Sequence, residues 1–230
     1  DLPKPTAYRL VHDLVGAGLL EPVARGRFAL GARLRRIARG QGSDRAVLEV
    51  AAPVLRRAAA ERGVAFFLAR LRGRAVEIVH VETPDTGVSF LHPGLGKRPL
   101  HACSCAKAVA AFAPELLRPI ELDGRLKAYT EFTLTRREQL EVELARIRRL
   151  GYAECVEELE RGMCSVAATL GASGAAAAMA VGAAGSSRVF SRDFRAEIGR
   201  AILGMAKDLA TALDLPHDRE APALDPALRA

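Results

Sequence analysis

Apolar side chains near the start of the chain fall at Ala7, Leu10, Val11, Leu14 and Val15, the i, i+3, i+4, i+7, i+8 spacing of one helical stripe. Thr6, Arg9, His12 and Asp13 lie off that stripe. Pro3 and Pro5 sit where proline is tolerated, in the first turn, and fix the helix start, while Gly16 and Gly18 end it. Leu19 to Val23 and Arg27 to Leu30 then read as two short strands about the turn Ala24-Arg25-Gly26. Residues 32–40 (ARLRRIARG) are a cationic helical stretch with Leu34, Ile37 and Ala38 on one side. Ser43 or Asp44 can cap the next helix, which runs to about Arg62 with Leu48, Ala51, Leu55 and Ala58 or Ala59 inward. Pro53 inside it predicts a kink or an early restart.

After Gly63 the period changes. VAFFLARL, RAVEIVHVE and TGVSFL are β-branched or aromatic runs separated by turn residues, which predicts an antiparallel meander. A second sheet half is expected over YAECVEEL, MCSVAATL and AAAAMAVGA. Between the halves lie a short helix starting near Ser104 and a longer one opened by Thr135-Arg-Arg-Glu138, read as a capping box, with Leu140, Leu144, Ile147 and Leu150 inward. A last helix, from about Ser191 to Leu213, carries Phe194, Ile198, Ile202, Met205 and Leu209. Strands in two groups with helices between and around them make an α+β design. The segment after Pro216 is rich in proline and charge and is expected to be disordered.

Composition narrows the functional classes. The chain has 230 residues, half of them hydrophobic, enough for a packed core. The blandest run, Gly171 to Ser187, is mostly Ala and Gly, so no membrane span is expected. Four cysteines suggest reduced thiols in a cytoplasmic protein rather than a disulfide framework. The net charge of +7 is unevenly placed: the first 42 residues hold eight Lys/Arg against three Asp/Glu. A small cationic segment on a nearly neutral body suits an anionic polymer, because each neutralised phosphate releases counterions. A solvated basic face is the alternative.

A short helix followed by a basic-tipped hairpin is the second half of a winged helix-turn-helix, with the helix in the major groove and the hairpin near the backbone or minor groove. Lys4, Thr6, Tyr8, Arg9, His12, Arg25 and Arg27 are the candidate DNA contacts. Amides at the helix start, beside Lys4 and Thr6, would seat a phosphate. A second anion site is suggested by HPGLGKRPLHACSCAKA, where a Gly/Pro loop leads into a helix whose first amides, at Cys103, Ser104 and Cys105, converge on one point.

LPKPTAYRLVHDLVGAGLLE followed by GRFALGARL closely resembles the recognition helix and wing of the isocitrate lyase regulator (IclR) family of bacterial transcription factors. PLHACSCAKAVAAF, LARIRRLGYA and ERGMCSVAA resemble further family segments, in the family's order. The resemblance covers Leu2 to about Leu215. It implies an incomplete winged helix-turn-helix over 1–31, a linker helix over 32–42 and a GAF-like effector domain over 43–216, with 217–230 a flexible tail. It also implies an effector pocket between the helix start and the sheet, lined by Cys155, by Ser165 and by the strand at Val181 to Ala183, with Glu157 nearby. Here Cys155 replaces a frequent acidic residue and Ser165 the usual cysteine, so effector identity does not transfer. Phe66, Phe90 and Leu91 would add apolar wall, which suits an aromatic or hydrophobic carboxylic acid. Pro5 replaces a usual serine, and the helices expected ahead of the recognition helix are not in this sequence. The chain is therefore expected to be N-terminally incomplete and to bind DNA weakly, whereas a full-length form would bind a palindromic operator as a dimer or dimer of dimers.

The cysteines allow other readings. Cys103-Ser-Cys105 with His101, Cys155 and Cys164 lacks the paired spacing of a zinc site, so neither metal nor cofactor is expected. A thiol-based redox sensor is the alternative function, since helix N-termini favour thiolate, against simple packing of small buried cysteines. Ser104, His101 and Glu157 or Glu158 can be drawn as a triad. However, no nucleophile elbow is present, His101 is three residues from the serine, and adjacent glutamates on a strand face opposite ways, so an enzyme is not expected.

Overall fold

The computed structural model describes residues 3–24, 26–31, 44–85, 93–113 and 126–215. Expectations for Arg25, the cationic stretch 32–40, the Ser43 cap, the strand TGVSFL with Phe90 and Leu91, and the C-terminal tail fall outside them. The chain divides into two compact units, Asp1–Val47 and Leu48–Ala230.

In the first unit, helix α1 (Lys4–Gly16) starts behind Pro3 and stops where Ala17 donates back to the Asp13 carbonyl at 2.9 Å. Strands β1 (Leu20–Ala24) and β2 (Arg27–Leu30) pair antiparallel, Leu20 opposite Leu30, and Gly26 turns the hairpin at φ +74°. No residue of α1 is buried. Leu10 and Leu14, in the middle of its apolar stripe, are 47% and 38% exposed.

Helix α2 (Asp44–Arg62) runs through Pro53 as one continuous element, so the predicted restart does not occur. Ala51, Leu55 and Ala59 form its buried side.

The second unit is built on one antiparallel sheet of six strands. The strands are β3 (Ala65–Arg72), β4 (Ala75–Glu82), β5 (Gly96–Arg98), β6 (Ala153–Val156), β7 (Met163–Thr169) and β8 (Met179–Ser186), in the spatial order β5-β4-β3-β8-β7-β6. The two predicted strand groups are thus halves of one sheet, joined where β3 pairs with β8. The helices are α3 (Ser104–Phe112), α4 (Arg137–Leu150), α5 (Gly174–Ala177) and α6 (Arg192–Ala212). α5 takes the alanines expected to open the last strand, because alanine costs least in a helix and carries no β-branch to hold it extended.

Two further boundaries differ. The extended residue before α4 is Arg136, not Thr135, and its amide donates to the Gln139 side chain at 3.2 Å, so the reciprocal contact falls one residue later than predicted. At its other end Gly151 closes α4 in the left-handed region, φ +84°. Ser191 caps α6 by accepting from the Phe194 amide, as a serine before an amphipathic run should.

Paired residues share a sheet face, so the register assigns the layers. Ala65, Phe67 and Ala69 of β3 lie on the same face as Ala180, Gly182 and Ala184 of β8, Ser165 and Ala167 of β7 and Cys155 of β6. On this face α3 packs, with Cys105, Ala106 and Val109 against Phe67 and Ala167, and α4 in turn covers α3 through Leu140, Leu144 and Ile147. The opposite face carries Phe66, Leu68, Val166, Ala168, Val181 and Ala183, all buried, with α6 lying against β7 and β8. Gly199 of α6 is needed there, since a Cβ would strike the Tyr152 ring.

Candidate functional site

A cavity of about 100 Å³ opens on the α3 face, beyond the start of that helix. Phe67, Ile78, Leu159, Met163 and Ala184 give it apolar wall; Arg98, Cys103, Cys155, Ser165 and Glu160 bring polar atoms, and Pro93 and Gly94 close one side. The Phe67 ring lies across β8 only because residue 182 is glycine; a Cβ there would collide with the ring.

Among the described residues, Arg98 is the cation on the wall. β5 is short and at the sheet edge, and it hands the half-buried guanidinium to the Gly94 carbonyl and, at 3.2 Å, to that of Lys97. Opposite, Ser165 is hydrogen-bonded to Ser104 with 2.7 Å between their oxygens, both buried. Two hydroxyls that share one hydrogen bond keep one O–H to offer elsewhere.

Cys103 is the extended residue before α3, and its sulfur lies 3.5 Å from that of Cys105. The hydrogen bond from the Cys105 thiol, the Arg98 charge and the amides of Cys105 and Ala106 hold the Cys103 thiol below its ordinary value against the opposing effect of burial. Cys105, which loses that hydrogen bond if it ionises and is wholly buried, is pushed well up. Cys155 points its thiol at the Ala102 carbonyl, 3.3 Å away, and burial raises its pKa to about 12. It therefore stands on the cavity wall as a neutral donor.

The turn after β6 forms the rim, and a buried ion pair holds it. Lys107, one turn into α3 and 1% exposed, donates to both carboxylate oxygens of Glu158 at 2.7 and 2.9 Å, with Glu143 3.7 Å away. Burial nevertheless leaves the Glu158 carboxyl above its usual value, only partly offset by Lys107. The Thr130 and Thr133 hydroxyls donate to the Glu157 and Glu158 carbonyls at 2.7 and 2.6 Å. Leu159 and Glu160, which line the cavity, follow directly.

Of the residues expected at the pocket, Cys103, Cys155 and Ser165 meet at the cavity, and Ser104 and Cys105 stand behind them in α3. Three do not. Val181 and Ala183 alternate with Ala184 along β8 and face α6, on the other side of the sheet; Phe66 is likewise reversed, and Phe67 takes its place. Glu157 is not on a strand: at φ +56° it starts the turn, and its carboxylate accepts from the Gly162 amide at 3.0 Å. No triad assembles either. His101 Nε2 is bonded to the Lys127 carbonyl at 2.8 Å, and Ser104 is bonded to Ser165.

In the first unit Lys4, Thr6, Tyr8, Arg9, His12 and Arg27 are all exposed. The anticipated phosphate seat is narrower than expected, because Pro5 has no amide hydrogen and the Thr6 amide donates to the Pro3 carbonyl at 3.0 Å.

The family profile described as "Bacterial transcriptional regulator IclR C-terminal" matches residues 42–211. The chain belongs to the IclR family of bacterial transcriptional regulators. Among IclR relatives, the HTH-type transcriptional repressor AllR of Escherichia coli K12 is 27% identical over 217 residues, spanning 94% of this chain and 80% of its own. The structure of an IclR transcriptional regulator from Silicibacter sp. TM1040 superposes with a TM-score of 0.70 at 22% identity, covering 96% of this chain and 88% of its own, and so shares the fold. An IclR homologue from Microbacterium hydrocarbonoxydans, solved in complex with 4-hydroxybenzoate, gives 0.63 at 26% identity over 92% and 87%. These IclR relatives are regulators of transcription, not enzymes. Among the described residues no helix is long and apolar enough to cross a membrane.

Proposed function

We propose that this regulator senses a small organic acid in the α3-face cavity and that acid occupancy alters its hold on operator DNA. The observation that carries this reading is the pairing of one guanidinium, Arg98, with a helix start and a spare serine hydroxyl around an otherwise apolar hollow. A carboxylate would meet Arg98, Ser165 and the positive end of α3, and a short carbon body would meet Phe67, Ile78 and Met163. A dry cavity of roughly 150 Å³ accepts benzene. A hollow of about 100 Å³ therefore takes a short aliphatic acid as it stands, whereas a benzoate such as that bound by the Microbacterium relative needs the rim at Leu159 and Glu160 to give.

DNA contact falls to α1 and the β1–β2 hairpin, a basic, exposed surface matching the second half of a winged helix-turn-helix. Lys4, Arg9 and Arg27 with Arg25 would serve phosphates, while Tyr8 and His12 face the groove. A twofold dimer reads a palindrome, and unequal acid affinity for two arrangements of the dimer's arms supplies a coupling of about 1–3 kcal/mol. Calorimetry against short carboxylic acids and 4-hydroxybenzoate tests the first half. An acid should bind, and Arg98→Gln should weaken it about 10–100-fold, the cost of one charge-assisted hydrogen bond; equal affinity in both proteins contradicts the proposal.

A further inference from the structure

We propose that Cys103 and Cys105 form a thiol switch, which a hydroperoxide entering the cavity closes into an intramolecular disulfide. The two sulfurs are already 3.5 Å apart, and one of them, Cys103, is on the cavity wall within reach of a small solute. Their surroundings divide the labour. Cys103 has the Arg98 charge and the first amides of α3 beside it, while Cys105 is fully buried and keeps its proton. The other thiols are otherwise engaged: Cys155 shares the cavity wall but is committed to the Ala102 carbonyl, and Cys164, paired in register with Val156, lies on the far face of the sheet.

The Cys103 thiolate attacks one peroxide oxygen; the O–O bond breaks, the leaving oxygen takes a proton and departs as water or alcohol, and Cys103 becomes a sulfenic acid. The Cys105 sulfur then displaces the hydroxyl, which leaves with the Cys105 proton as water, and the S–S bond forms. Two thiols lose two electrons and two protons, and the peroxide is reduced by the same two electrons. Closure requires the sulfurs to approach from 3.5 Å to about 2.05 Å, drawing Cys103 off the cavity wall and toward the first turn of α3. The switch does not depend on the acid reading, because its signature is a mass.

The test uses the full reduced chain and hydrogen peroxide. Trypsin cuts after Lys97 and Lys107 and spares Arg98-Pro99, so both cysteines fall in the peptide 98–107. The expected product is that peptide two hydrogens lighter and closed to iodoacetamide until reduced, formed about tenfold faster than glutathione is oxidised alongside it. In Cys105→Ser the same position should accumulate a dimedone adduct on Cys103. A peptide that stays reduced while glutathione oxidises, a bond from Cys103 to Cys155 instead, or a Cys105→Ser protein without the adduct overturns the proposal.

Discussion

The two faces of the sheet are covered by helices of different reach. α6, with 21 residues, extends about 31 Å and lies along β7 and β8, burying Val166, Val181 and Ala183 completely; α3, with nine, extends about 13 Å. A helix that short cannot span its face, and the space beyond its first turn is the cavity. The longer helix gives a filled apolar layer, and the shorter one leaves a hollow and points its amide end along the edge of it. The hollow keeps an apolar wall, but its helix end and rim are held by directed bonds, from Lys107 to Glu158 and from Ser104 to Ser165, while the far face is held by close packing.

The largest expected effect follows from that contrast. Lys107→Ala leaves Glu158 buried without its cation and should lower stability by about 3–5 kcal/mol in urea denaturation, whereas Lys107→Met with Glu158→Leu should recover most of the loss. A loss under about 1 kcal/mol for the single variant would mean the pair does not hold the rim. On the packed face, Val181→Ala should cost about 2 kcal/mol by the same measurement and leave acid affinity unchanged, since it removes buried methyl groups that the cavity never touches. A change in acid affinity there would mean the faces are coupled.

The smallest effect is chemical. Because Cys103 titrates below an ordinary thiol, its alkylation by iodoacetamide should rise with pH earlier than that of free cysteine, the thiolate being the reacting form. Cys155, at about 12, should stay unlabelled at neutral pH. Peptide mapping across a pH series checks both, and a Cys103 curve that coincides with free cysteine would show that the Cys105 hydrogen bond, the Arg98 charge and the helix amides do not outweigh burial at its sulfur.

How much of this was legible in the sequence depended on whether a residue's role is local. The stripes of α1, α4 and α6 and the strands β3 and β4 follow from spacing. The Ser104 helix start was readable for the same reason, and it brought Cys103 and Ser104 with it. Which of two neighbouring buried residues faces the cavity was not: in AFFLAR and AMAVGAA both faces are apolar, so alternation carries no direction, and Phe66, Val181 and Ala183 lie on the side opposite to the one expected. Arg98 and Lys107 were hidden for a related reason. One reads as a loop cation and the other as a solvated position in an alanine-rich helix, and only the fold shows the first on the cavity wall and the second buried against Glu158, fifty-one residues away in sequence.

Adjacent residues of β8 allow the most direct test. Ala184 lines the cavity and Ala183 faces the packed side. Thermal-shift titration with a panel of short carboxylic acids on Ala184→Leu and Ala183→Leu places the same added bulk on either side of one strand. Ala184→Leu should fill the hollow, keep its melting temperature and no longer respond to acid. Ala183→Leu, overpacked by about 1–3 kcal/mol, melts lower but keeps the wild-type response. An undiminished acid response in Ala184→Leu would contradict the proposed acid site.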